Sequence, residues 1–196
     1  INTSNPLLGD RVAGSVGFAL PGQEVRITGD DSSVLNRGDI GNIEVRGPNV
    51  FSGYWKKPEK TAEELRENGF FITGDLGRQD EDGRVYIVGR SKDLIISGGY
   101  NVYPKEVEQV LDQMKQIDES AVIGVPHADF GEAVVAILIS TTAEKPSLET
   151  LSEFLGERLA RFKQPKQIVY VDELPRNTMG KVQKNILRER YAELLT

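Results

Sequence analysis

Glycine and proline cut the first ninety or so residues into pieces too short for anything but strands and turns. Pro21-Gly22, Gly29, Gly38, Gly41 and Gly47-Pro48 follow one another closely, and each favours a turn over a continuing element. Between the cuts, Glu24-Val25-Arg26-Ile27-Thr28 and Asn42-Ile43-Glu44-Val45-Arg46 alternate apolar and polar residues, the pattern of a strand with one face inward. Phe70-Phe71-Ile72-Thr73 and Val85-Tyr86-Ile87-Val88 continue the series, the second after a tight turn at Glu81-Asp82-Gly83. One helix is predicted from Pro58 to Asn68, with proline in its first turn and Gly69 as its stop. This stretch predicts a β-rich barrel or sandwich piece.

From residue 94 the periodicity changes. A short strand, Leu94-Ile95-Ile96, leads to Gly98-Gly99. Val107, Val110, Leu111 and Met114 then share one face of a helix starting at Pro104. Strands are predicted at Ser120–Val125, Ala133–Ser140 and Ile168–Val171. Ser147 caps a helix carrying Leu148, Leu151, Phe154, Leu155 and Leu159. A last helix is expected from Gln183 to Leu195, with Leu187, Tyr191 and Leu194 on one side. Helices over a short sheet make this part a small α+β domain. The polar run Gly89-Arg90-Ser91-Lys92-Asp93 separates the two patterns, as a surface turn or a hinge would.

Composition removes several function classes. The 196 residues include 24 basic and 30 acidic side chains, a formal charge of −6, which argues against nucleic acid as a partner. There is no cysteine and one histidine, His127, so disulfides, thiolate sites and a multi-histidine metal cage are excluded. No apolar run approaches the ~18 residues of a membrane helix and no leader is visible. A cytoplasmic location is therefore expected, in which the Asn2-Thr3-Ser4 sequon would go unused. The chain opens on Ile1, as a piece of a longer protein would.

Each candidate site has a plain structural alternative. Asp75 in Thr73-Gly74-Asp75-Leu76, at the end of a predicted strand, could accept two hydrogen bonds from a vicinal diol, or could simply cap a turn. Lys181, in the loop Leu174–Val182, is a compact charge suited to phosphate or carboxylate oxygens on a mobile loop, or a solvated lysine. The loop is not a phosphate-binding P-loop, because Val182 stands where a hydroxyl residue is needed. Gly98-Gly99 permits close approach of a ligand, or a tight turn; the dinucleotide fingerprint is absent. His127 has no hydrolase partner in sequence and reads as a surface residue. Arg158, Arg161, Lys163, Lys166, Arg176, Lys181, Lys184, Arg188 and Arg190 could form a phosphate-attracting face in an otherwise acidic chain.

Four segments taken together are far more specific. Thr73-Gly74-Asp75-Leu76, the run from Tyr86 to Pro104 that contains Gly89-Arg90-Ser91-Lys92-Asp93 and Ser97-Gly98-Gly99-Tyr100-Asn101, Pro175-Arg176-Asn177-Thr178-Met179-Gly180-Lys181, and Gly53-Tyr54-Trp55-Lys56-Lys57-Pro58-Glu59-Lys60-Thr61 occur in this chain. In order and spacing they resemble the adenylate-forming acyl-CoA synthetase superfamily, over essentially the whole chain. Asn2–Pro6, Gly47–Phe51 and Asn177–Asn185 look most like malonyl-CoA synthetases.

The resemblance implies an α+β chain in two parts. Residues 1–90 would be the barrel-like, β-rich end of a large adenylate-forming lobe, and 91–196 a small mobile C-terminal lobe with a hinge near Lys92. It implies an AMP-forming acid–CoA ligase that uses ATP, CoA and Mg²⁺, acting on a small acid such as malonate or methylmalonate. Asp75 and Arg90 would bind the nucleotide, Lys181 would bind it and catalyse, and Gly98 and Gly99 would line the CoA path. The Mg²⁺ ligand and a phosphate loop would lie upstream, so no metal is held by this chain and the chain alone would be inactive. Other acyl-CoA ligases, a peptide-synthetase-type adenylation domain and a nucleotide- or CoA-binding piece without turnover are the alternatives. The sequence is neutral on oligomeric state.

Overall fold

The computed structural model describes residues 1–195. The chain divides into two compact units, Ile1–Lys92 and Asp93–Thr196, each α+β in character. The first holds a six-stranded antiparallel sheet in the order β1 (Thr3–Ser4), β2 (Ser15–Ala19), β6 (Val85–Arg90), β5 (Phe71–Gln79), β4 (Gly41–Arg46), β3 (Glu24–Thr28), curled as a half-barrel. Ile27, Ile43, Val45 and Val85 are its buried cluster, with Val16, Val25, Leu35, Val50 and Phe71 packed against it.

Alternation along β4 puts Glu44 on the polar face, yet that face is covered too, and Glu44 is 0% exposed. Its carboxylate accepts from Arg26, its cross-strand neighbour, at 2.7 Å, from Arg66 at 2.7 Å and from the Thr28 hydroxyl at 3.0 Å. Arg26 and Arg46 in turn lie over the Phe70 ring at 3.8 and 4.5 Å. A buried charge survives only when its partners fill its lone pairs, and here they do.

Two sequence expectations change in this unit. The helix α1 (Pro58–Glu64) ends earlier than Asn68. Leu65 is bridged to Phe71, and Gly69 turns the chain in a hairpin closed by Arg66 N–H donating to Phe70 O at 2.8 Å; strand pairing displaces the helix end. The Thr73-Gly74-Asp75 segment does not end its strand, because β5 runs on to Gln79.

In the second unit β10 (Gly131–Ser140) is central. It pairs antiparallel with β9 (Ile117–His127), parallel with β11 (Gln167–Tyr170), and at Gly131 with the hairpin of β7 (Ile95–Ser97) and β8 (Tyr100–Val102). Val134, Ala136 and Leu138 of β10 face one cluster with Val107 and Leu111 of α2 (Pro104–Leu111) and Leu151 and Leu155 of α3 (Leu148–Gly156). Ala133, Val135 and Ile137 face a second cluster with Leu174 and with Leu187 of α4 (Lys184–Arg190). A strand buried on both faces reads as an unbroken apolar run, which is why Ala133–Ile139 alternates so little. The Ser147 hydroxyl accepts from Thr150 N–H at 3.1 Å, the expected cap. The helices α2 and α4 stop before Met114 and Leu195, but Met114, Tyr191 and Leu194 still pack inward from turns.

Candidate functional site

The Thr73–Asp75 segment is a bulge inside β5. Asn42 pairs with Leu76 and Glu44 with Ile72, so Ile43 alone faces Thr73, Gly74 and Asp75. Bulges re-aim side chains beside functional sites. Gly74 takes φ +72°, and a Cβ there would meet nothing nearer than Arg90 at 3.9 Å; the dihedral, not space, demands glycine. The Thr73 hydroxyl donates to Ile43 O at 2.9 Å and accepts from Asp75 N–H at 3.1 Å. Asp75 stands directly across from Arg90 on β6, with an ion pair of 2.8 Å from Nε to Oδ1. Ser91 adds a bond from its hydroxyl to Gly74 O at 3.2 Å. The Asp75 and Arg90 side chains are 24% and 51% exposed. Solvent therefore screens the pair to about 1 kcal/mol or less, and its role is orientation. A carboxylate held this way and open to solvent fits a ribose diol.

In the second unit, Lys181 sits on a loop whose backbone is held by several hydrogen bonds. The Asn177 side chain accepts from the N–H groups of Met179 and Lys181, both at 3.0 Å. Asn177 N–H donates to Lys181 O at 2.9 Å, and Gln183 N–H to Pro175 O at 2.7 Å. Arg176 binds Gly180 O at 2.7 Å and is ion-paired with Glu119. Lys181 itself is exposed. The loop thus presents an exposed ammonium on a hydrogen-bonded turn.

Gly98 (φ +58°) and Gly99 (φ +80°) form the two-residue turn between Ser97 and Tyr100, the left-handed pair that a tight hairpin requires. Gly98 N–H donates to Phe130 O at 2.9 Å. Around this turn the structure gathers a surface that the sequence reading missed. Tyr100, 59% exposed, stacks on Phe162 at 4.7 Å. Phe130 meets His127 at 4.8 Å, and Lys166 lies 5.2 Å from the Phe130 ring. The one signal in sequence was the aromatic–basic run Phe162-Lys163-Gln164-Pro165-Lys166. Rings beside a cation offer stacking and charge to a nucleotide. Nearby, burial pushes the Tyr103 phenol up, Glu106 adds to the shift and an Asn101 hydrogen bond opposes it.

The structure places Asp75 and Arg90 in the first unit, Gly98, Gly99 and Lys181 in the second, and Lys92 at the boundary. The nine basic residues do not act as one face. Lys163 pairs with Glu106, Lys184 with Glu108, Arg188 with Asp93 and Arg158 with Glu157, so local carboxylates neutralise much of that charge. In the Gly53–Thr61 segment, Tyr54 bonds Glu64 and Trp55 is exposed. Among the described residues no group of three or more acidic or histidine side chains could hold a metal ion, and no helix is long and apolar enough to cross a membrane.

Comparison with known proteins follows this geometry. Residues 2–55 match the AMP-binding enzyme family and residues 106–181 the AMP-binding enzyme C-terminal domain. The chain is 42% identical over 187 residues to an indoleacetate–CoA ligase of Aromatoleum aromaticum, covering 95% of the chain and 36% of that relative. It is 57% identical to ATP-bound MatB from Rhodopseudomonas palustris, with a TM-score of 0.94, covering the whole chain and 39% of MatB. The o-succinylbenzoate CoA synthetase MenE of Bacillus subtilis, solved with ATP and magnesium, is 37% identical over 88% of the chain and 35% of its own, with a TM-score of 0.81. The chain thus spans between a third and two fifths of the length of these relatives.

Proposed function

Because the chain belongs to the AMP-binding enzyme family, as the C-terminal part of an adenylate-forming acyl-CoA synthetase, we propose that the whole protein is an ATP-dependent acid–CoA ligase. Its acid would attack the α-phosphate of ATP, releasing pyrophosphate and leaving an acyl-adenylate. The CoA thiol would then displace AMP to give the thioester. The observation that supports this reading is the bulge that carries a half-buried Asp75 with Arg90 paired across from it.

In this scheme Asp75 accepts from the ribose hydroxyls and Arg90 fixes that carboxylate while offering its remaining N–H groups to ribose or phosphate. Lys181, on its clamped loop, bridges the acid carboxylate and the α-phosphate, where negative charge grows in the transition state. Gly98 and Gly99 give the pantetheine arm room to pass, and the Tyr100–Phe162 stack suits the nucleotide end of CoA. Mg²⁺ would travel with the ATP phosphates on ligands outside this chain. Residues 1–90 and 91–196 would act as the end of a large lobe and a small mobile lobe, with Lys92 as pivot for presenting Lys181 first and the diglycine turn second. Lys92→Pro is expected to slow thioester formation more than adenylation; equal loss of both steps would remove the pivot.

The acid is malonate or methylmalonate on the strength of the likeness to MatB, a malonyl-CoA synthetase. Relatives that take other acids, among them a long-chain fatty-acid ligase of Mycobacterium tuberculosis at 41% identity, keep a broader acyl-CoA ligase as the second reading. Pyrophosphate release by the whole protein across a panel of acids separates them. Malonate-dependent release that falls on the order of 10²–10³-fold in Lys181→Ala supports the reaction and the lysine's role. Release with other acids alone moves the substrate, and no release with any acid leaves a nucleotide-binding module.

A further inference from the structure

We infer that Thr73 is a positioning residue for nucleotide recognition: its hydroxyl holds the bulge that presents Asp75. The inference rests on the reading of Asp75 as the ribose acceptor. Where β4 has one residue, β5 has three, so backbone pairing lapses between Ile72 and Leu76. The Ile43 carbonyl, which a ladder N–H would otherwise fill, is instead filled by the Thr73 hydroxyl at 2.9 Å. The same oxygen accepts the Asp75 N–H at 3.1 Å. One side-chain atom thus closes both ends of the bulge. It ties Asp75 to the neighbouring strand on one side, while the Arg90 pair holds it on the other. Ser91 and Arg90 hold the bulge from the β6 side, through Gly74 O at 3.2 Å and Thr73 O at 3.5 Å, and the Thr73 hydroxyl braces it to β4.

The test reads ribose discrimination, which a merely structural threonine would not change. Steady-state adenylation by the whole protein is measured with ATP and with 2′-deoxy-ATP for Thr73→Val, Thr73→Ser and Asp75→Asn. Thr73→Val keeps the shape and loses the hydroxyl. It is expected to raise KM for ATP roughly tenfold, the scale of one or two lost hydrogen bonds. KM for 2′-deoxy-ATP, which keeps only its 3′-hydroxyl for Asp75, should rise less, and kcat should stay near its starting value because the loss is of uniform binding. Thr73→Ser should restore the preference for ATP. Thr73→Ala, which cannot clash, repeats the comparison if the valine does not fold. An unchanged preference in Thr73→Val or Thr73→Ala, with Asp75→Asn losing it, overturns the role of Thr73 alone. A preference that survives Asp75→Asn overturns the ribose role of Asp75 and this inference with it.

Discussion

The central strands of the second unit, β9 and β10, are covered on both faces by apolar side chains, with Leu111, Leu151 and Leu155 on one side and Leu187 and Leu174 on the other. The sheet of the first unit has an apolar cluster of four buried residues and covers part of its other face with a carboxylate held by two arginines. The first solution relies on many small contributions, roughly 1.5–3 kcal/mol for each large side chain removed from water. The second adds a buried charge whose partners cannot be removed without cost. A sheet that must also carry a half-buried bulge at Thr73–Asp75 gives up part of its ladder, and the cross-strand charges pin the strands beside it.

The largest effect is expected in the second unit. Leu138→Ala removes a fully buried side chain between α2, α3 and β9 and is expected to cost about 4 kcal/mol. Native-state hydrogen exchange should show the loss in β9 and β10 and spare β4. Glu44→Gln is the counterpart in the first unit. Leaving Arg26 and Arg66 without their carboxylate is expected to cost about 3 kcal/mol, with the lost protection confined to β3, β4 and β5. A smaller loss there than on a conservative apolar change such as Ile43→Val would overturn the dependence on charge.

Acid sharpens the contrast at the smallest scale. Burial pushes the Glu44 carboxyl up, but hydrogen bonds from Arg66, Arg26 and Thr28 outweigh it and hold the group below its ordinary value of 4.5. A carboxyl lowered in the folded state stabilises fully above the unfolded value and loses that contribution as pH falls through the folded one. Urea midpoints should therefore drop for the first unit as pH goes below 4.5, and Glu44→Gln should flatten that dependence. An identical acid limb in the variant would assign it to other groups.

Much of this was legible locally. Gly98-Gly99 marks a two-residue hairpin, Pro58 and Pro104 start helices, Ser147 caps one, and Ala133–Ile139 is a doubly buried strand. In each case the signal lies within a few residues, in dihedral preference, capping or side-chain period. The candidate residues Asp75, Arg90, Gly98, Gly99 and Lys181 were also visible, through motifs rather than through periodicity.

What only the tertiary structure decided involves partners far apart in the chain. Glu44 looks like an outward-facing residue of an alternating strand until Arg66 folds over it. Thr73-Gly74-Asp75 looks like a strand end until the register with Ile43 shows a bulge. Tyr100 meets Phe162, and Arg188 reaches Asp93 across 95 positions. Local sequence sets the dihedrals and the apolar period, because those energies act between neighbours. Whether a charge is buried, a bulge is braced or an exposed ring finds its stacking partner depends on which distant strands come together, and that is fixed by packing the whole unit.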